Sequence, residues 1–274
     1  MDFIEAKSLF SPATGFIARG GFDFTCNPYV GCTFSCRYCY AAFLPQNPKP
    51  VSEWGRWMQA KKNAVELAQK HAKKTAGKAV YMSSVTDPYQ PVERSLHLSR
   101  GILEALVLHQ PRLVIQTRGP LVVRDIDVLA EFDLVRVNVS IPTDSEEVRM
   151  AFEPKAPPLE KRWQAVEQLT AAGISVGICV TPTLPIADVD AFADRIAGAG
   201  AAVVVTQDFH DSHGGFGADT GAEAKKLREK MNWGPTDYRR FADAVRERTT
   251  MYEGEKGFFP PRKVEKGLFA TICE

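Results

Sequence analysis

The sequence is short of cysteine and has no excess of either charge. Six cysteines in 274 residues are too sparse for a disulfide scaffold. A net charge of +1, from 34 basic against 33 acidic residues, leaves no general footprint of a nucleic-acid-binding domain. No apolar run approaches the ~18 residues that span a bilayer, and Met1 to Lys7 holds neither a basic leader nor a long apolar stretch. The expected setting is therefore cytoplasmic, with no membrane role. At 45% hydrophobic and 24% charged residues, the chain can bury a substantial core.

The few cysteines are concentrated. Cys32, Cys36 and Cys39 share one short loop, Gly31-Cys-Thr-Phe-Ser-Cys-Arg-Tyr-Cys-Tyr40. The C-x3-C-x2-C spacing brings three thiolates within reach of one metal centre, whereas a four-iron cluster normally takes four protein ligands. One iron is then left open, and an open position separates a metal site that does chemistry from one that only holds a fold. A zinc ribbon needs a second C-x2-C knuckle. Cys26, Cys179 and Cys273 form no pair, although Cys26 can in principle supply a fourth ligand.

Short β-branched runs alternate with helical patterns along the chain, which is the order of successive βα units on a parallel sheet. The pattern predicts strands near Phe22–Thr25, Ala79–Ser83, Leu113–Thr117, Val135–Ile141, Ser175–Val180 and Ala202–Thr206. It predicts helices over Leu98–His109, Val122–Phe132, Leu159–Ala172, Val189–Ala199, Ala222–Met231 and Thr236–Thr249. Six repeats are too few to close an eight-stranded barrel, so the expected fold is α/β, an open (β/α)6 partial TIM barrel. Residues 1–274 read as one domain, with a core over about 20–210 and a helical extension over about 211–274.

Ligands sit outside the carboxyl ends of parallel strands. The cysteine loop follows the first strand and belongs at that mouth. By the same topology Ser84 and Asp87 follow the second strand, Arg118 the third, Ser140 the fourth, Thr181 the fifth and His210 the sixth. The loop His210-Asp-Ser-His-Gly-Gly-Phe-Gly217 brings His210 and His213 as candidates to touch a polar substrate or relay a proton, or simply to cover the mouth.

The cysteine loop, with Tyr38 before its last cysteine, resembles that of the radical S-adenosylmethionine (SAM) enzymes. The longer string Asn27-Pro-Tyr-Val-Gly-Cys-Thr-Phe-Ser-Cys-Arg-Tyr-Cys-Tyr-Ala41 narrows the likeness to the spore photoproduct lyase-like branch. Further matches are Ser84-Val-Thr-Asp-Pro-Tyr-Gln90, Arg124-Asp-Ile-Asp127, Val139-Ser-Ile141 and Glu153-Pro-Lys-Ala-Pro-Pro-Leu-Glu-Lys-Arg162. The resemblance implies a partial barrel, a 4Fe-4S cluster on Cys32, Cys36 and Cys39, and SAM chelated at the open iron. It also implies a low-potential electron donor of flavodoxin or ferredoxin type, and a 5'-deoxyadenosyl radical that takes hydrogen from a substrate. On the same resemblance Tyr38 and Tyr40 flank SAM, Arg118 lies near its carboxylate, and Ser140 and Thr181 touch its ribose or adenine.

One departure limits the resemblance. Spore photoproduct lyases carry a cysteine just after the second strand that returns a hydrogen atom to the substrate radical, and the position aligned on Asp87 is Ser84. A serine O–H bond is far too strong for that task, so repair of spore photoproduct is not expected. Cys273, near the terminus, is an alternative donor; Cys179, between Ile178 and Val180, reads as a buried core thiol. With the hydrogen donor missing, Ser84, Asp87, His210 and His213 remain candidate substrate contacts.

Between Arg56 and Lys78 stand Lys61, Lys62, Lys70, Lys73 and Lys74 against the single acid Glu66, with Trp54 and Trp57 at the start. Such a segment can contact phosphates and stack bases, or form a solvated helix face with Trp57, Val65 and Leu67 packed inward. Three readings follow. The first is a radical SAM enzyme acting on a nucleic-acid base or nucleoside. The second is one acting on a small metabolite or peptide. The third is a noncatalytic metal-dependent nucleic-acid-binding module that needs Cys26 as a ligand.

Overall fold

The structure, a computed structural model, describes residues 2–209 and 221–262; His210, His213 and Cys273 lie outside the described residues. Six strands follow the expected order: β1 (Phe24–Cys26), β2 (Ala79–Met82), β3 (Arg112–Thr117), β4 (Val135–Ser140), β5 (Ser175–Val180) and β6 (Val203–Thr206). They pair in parallel, each with the next in the chain. The sheet does not close on itself. Phe10–Pro12 lies antiparallel on β1 at one edge, and Met251–Glu253 lies parallel to β6 at the other. This is the mixed α/β partial barrel that the sequence predicts.

Side-chain alternation on the strands divides the molecule into an apolar outer layer and a more polar interior. Val80 and Met82, Leu113 and Ile115, Val137 and Val139, and Val176 and Ile178 face outward, in one packed cluster with the helices. Leu98–Val107 joins that layer because Leu98, Ile102, Leu103 and Leu106 recur at helical spacing on its buried side. Val189–Gly198 follows a strong start signal: the Asp188 carboxylate accepts from the Ala191 amide at 3.0 Å. Phe192 on this helix stacks on Phe241 of Pro235–Arg248, with ring centroids 5.5 Å apart.

The inner positions of β3 and β4 include Gln116, Arg136, Asn138 and Ser140. The Gln116 amide donates to Ser140 Oγ at 2.9 Å and accepts from Tyr81 Oη at 3.1 Å. Gly177 on β5 makes room for this polar file, since a Cβ there would stand 2.3 Å from Asn138 Oδ1. Cys179 is a buried thiol as expected, but it faces this interior, 3.7 Å from Gln116 Oε1.

Two expectations need correction. The predicted helix Val122–Phe132 is a 3-10 turn, Pro120–Asp125, followed by one short α-turn, Ile126–Leu129. Local ion pairs override helical spacing here, because Arg124 and Asp125 are drawn into a buried network with Arg100 and Glu93. The segment after residue 210 is not wholly helical either. Beyond its helices Ala222–Lys230 and Pro235–Arg248 it returns to the sheet as Met251–Glu253, a strand too short to leave a period-2 signature. Among the described residues no helix is long and apolar enough to cross a membrane.

Candidate active site

The loop after β1 is held open by backbone constraint. Tyr29–Val30 pairs with Gln59–Lys61, and Gly31 then turns at φ +76°, where a Cβ would lie 2.6 Å from the Trp57 ring. Only glycine meets both demands without strain. Cys32 and Cys36 are buried and Cys39 is half-buried, and all three share one packed group with Phe34, Tyr38, Phe152 and Phe209.

The string from Ser84 to Gln90 clamps this loop. Thr86 Oγ1 donates to the Gly31 carbonyl at 2.5 Å, and Gln90 Oε1 accepts from the Thr33 amide at 3.1 Å and its hydroxyl at 3.2 Å. Asp87 joins β2 to the end of β3. Its Oδ1 accepts from Thr117 Oγ1 at 2.7 Å and from the Tyr89 amide at 2.9 Å, and its Oδ2 accepts from the Arg118 amide at 2.9 Å. Both carboxylate oxygens are therefore engaged in holding strand ends. Ser84 is half-buried, and its carbonyl accepts from the Tyr40 hydroxyl.

Arg118, held in place by Asp87, reaches across to the cysteines. Its Nη1 lies 3.1 Å from Cys36 Sγ, its Nη2 3.5 Å from Tyr38 Oη and its Nε 3.4 Å from Glu153 Oε1. Glu153 is fully buried and also receives the Tyr38 hydroxyl and the Arg162 guanidinium. Arg162, fully buried as well, donates to the carbonyls of Ser140 and Pro157, each at 3.0 Å. One network thus runs from the cysteine loop through Glu153 to the end of β4. Burial alone would raise the Glu153 carboxyl, but Arg162 and Arg118 outweigh it and hold it below its usual range.

Burial pushes the thiols the other way, Cys32 up to about 12, Cys36 well above its ordinary value and Cys39 upward; Arg118 opposes the rise at each. Metal ligation requires thiolates and so releases protons. Ser140 is buried; its Oγ accepts from Gln116, which leaves its own O–H to donate. Thr181 stands half-buried at the end of β5. Cys26 is directed into the helix-facing layer beside Ala64 and Ala68 and does not join the group formed by the other three. The donor set is therefore three thiols from one loop with a guanidinium against one sulfur. That chemistry fits a cluster ligated by protein at three irons. Among the described residues, no three His, Cys, Asp or Glu side chains are placed to hold a single metal ion.

The sequence model of the radical SAM superfamily matches residues 26–196, from the last residue of β1 through the cysteine loop and β2 to β5. The chain belongs to the radical SAM superfamily. An uncharacterized protein of Methanocaldococcus jannaschii, MJ0683, is 35% identical over 183 residues, covering 66% of this chain and 67% of that one. An uncharacterized protein of Acidianus two-tailed virus, ORF301, is 34% identical over 165 residues, covering 57% of this chain and 54% of its own. The match thus spans little more than half of the viral relative. Among solved structures of radical SAM folds, spore photoproduct lyase complexed with dinucleoside spore photoproduct superposes with a TM-score of 0.62 at 15% identity, covering 92% of this chain and 80% of that one. SuiB of Streptococcus suis bound to S-adenosylmethionine gives 0.54 at 13%, covering 85% and 50%. At such identities these two likenesses speak for the fold alone.

The structure brings Cys32, Cys36, Cys39, Tyr38 and Arg118 together, and places Tyr40 with Ser84 beside them. Glu153, Arg162, Gln90 and Gln116 were not singled out from sequence. The first three lie inside the matched strings Ser84–Gln90 and Glu153–Arg162, which carried the only signal; nothing in the sequence marks Gln116.

Proposed function

We propose that this chain is a radical SAM enzyme whose Cys32, Cys36 and Cys39 hold a 4Fe-4S cluster, with SAM bound at the mouth formed by the ends of β3, β4 and β5. The observation that carries the reading is the Arg118 guanidinium against Cys36 Sγ in the only loop with three cysteines. When bound, the cluster supplies the electron that splits SAM reductively into methionine and a 5'-deoxyadenosyl radical able to take hydrogen from a substrate. The chain's own residues do the rest. Arg118 offsets thiolate charge and offers a cation to a carboxylate, Ser140 and Thr181 offer hydroxyls at adjacent strand ends, and the apolar wall of Phe34, Phe152 and Phe209 excludes water. Tyr38 orients the loop through Glu153, and Tyr40 does so through Ser84, so both act as positioning residues.

A low-potential donor of flavodoxin or ferredoxin type would deliver the electron, at potentials near about −400 mV. For the substrate, the leading reading is a nucleobase or nucleoside, the chemistry named for the dinucleoside-bound lyase. A small metabolite is the second, favoured by the placement of the lysine run. Lys62 pairs with Glu5, Lys74 lies over the Phe10 and Phe24 rings, and Lys78 pairs with Asp23. Lys74 and Lys78 therefore lie toward the start of β1 and β2, away from the mouth, which counts against a continuous basic track for a polymer. The packing of Cys26 against the helices counts against a noncatalytic site needing it as fourth ligand.

The test is anaerobic reconstitution with iron and sulfide, reduction with dithionite, addition of SAM and measurement of 5'-deoxyadenosine. Its formation, dependent on all three cysteines, is the expected result. A reduced, cluster-loaded protein that neither binds nor cleaves SAM would overturn the assignment.

A further inference from the structure

The opposite end of the barrel carries an unusual charge. Arg136, at an inner position of β4, is 2% exposed, and no carboxylate among the described residues pairs with it. A guanidinium has five N–H donors. Two bonds account for part of them: Nε to Asn138 Oδ1 at 2.9 Å and Nη2 to the Phe259 carbonyl at 2.6 Å. A buried cation without a counter-charge is costly, and such groups are normally paired.

Arg136 lines a cleft of about 600 Å³ at the start of β4, β5 and β6. Four rungs of strand separate it from Ser140 at the mouth, roughly 13 Å at ~3.3 Å per residue. The cleft also presents Arg19, Lys256 and Arg262 against the single acid Glu255. Arg19 is engaged by Glu255, which leaves Arg136, Lys256 and Arg262 without a carboxylate partner among the described residues. The Phe259 ring is near two of these cations, its centroid 4.9 Å from the Arg136 guanidinium and 6.0 Å from that of Arg262. The aromatic face steadies both cations but supplies no acceptor for their remaining N–H groups.

We propose that this cleft is a binding site for a small oxyanion, a phosphate or carboxylate group, held by the Arg136 fork at its floor and by Lys256 and Arg262 at its rim. Planar guanidinium donors match both anions in bidentate geometry, and a buried fork gives more selectivity than surface lysines. The site is separate from the cysteine mouth and does not depend on cluster loading.

Isothermal titration calorimetry of the full chain with inorganic phosphate, and separately with acetate, at constant ionic strength against chloride, tests the proposal. Saturable binding of either anion is expected, and the arm that binds identifies the group recognised. Lys256→Ala and Arg262→Ala, both exposed, are each expected to weaken it roughly tenfold, and Arg136→Lys to weaken it at least as much by removing the fork. Glu255→Gln, which removes the competing acid, is expected to tighten it. The proposal is overturned if neither anion binds more tightly than chloride, or if binding is unchanged in the Lys256 and Arg262 variants, which do not depend on the fate of the buried arginine.

Discussion

The guanidinium of Arg118 lies against the sulfur of Cys36, 3.1 Å away, while the backbone of the same arginine is anchored by Asp87. In the proposed enzyme this contact gives one residue two tasks, to lower thiolate charge and to face the carboxylate of SAM. Arg118→Ala is expected to leave three cysteines able to assemble a cluster while lowering 5'-deoxyadenosine formation about 10- to 100-fold, the equivalent of a lost charge-assisted hydrogen bond of about 1.5–3 kcal/mol. Iron content and the visible spectrum report the first outcome; product formation reports the second. Unchanged turnover would remove Arg118 from the site.

Replacing Cys32, Cys36 or Cys39 singly with Ala is expected to abolish SAM cleavage, and Cys26→Ala to retain the cluster. Iron analysis after reconstitution distinguishes these. Loss of metal in Cys26→Ala would restore the four-ligand reading.

Glu153 is held between Arg162 and Arg118 in a buried setting, so Glu153→Ala is expected to cost about 3–5 kcal/mol by leaving those cations unpaired. Its carboxyl lies below the ordinary value of 4.5 in the folded chain. A depressed folded pKa adds stability above about pH 4.5, which is lost as pH falls through the folded value. Chemical denaturation as a function of pH checks both, and Glu153→Gln should lose this part of the acid dependence.

Burial pushes Cys179 up to about 12 from an ordinary 9.0. The unfolded thiol ionises first as pH rises, so this residue subtracts stability above about pH 9. Native Cys179 is expected to resist alkylation near pH 9, as read by mass spectrometry, and to react once the chain is unfolded. Rapid modification of the native protein would contradict its placement against Gln116.

Ser84 offers no weak X–H bond, so the reconstituted protein is expected not to convert spore photoproduct to thymine. Product chromatography after incubation with reductant and SAM decides this, and efficient conversion would show that another group supplies the hydrogen.

The sequence by itself determined the βα order, because β-branched runs and amphipathic helices are local patterns, and it determined the cysteine loop, because Cys32, Cys36 and Cys39 lie within eight residues. It also marked the strings Ser84–Gln90 and Glu153–Arg162, without the reason for them. Only the tertiary structure decided that Thr86 and Gln90 clamp the cysteine loop, that Asp87 fastens β2 to Arg118, and that Glu153, 115 positions along the chain from Tyr38, joins it to Arg162. It likewise turned Cys26 away from the other cysteines and set Arg136 at the barrel base without a counter-charge among the described residues. These relations depend on which face of a strand a side chain takes and on which distant strand end lies beside it. Strand alternation settles the first only once a strand's place in the sheet is fixed, and the second follows from the register of the parallel sheet.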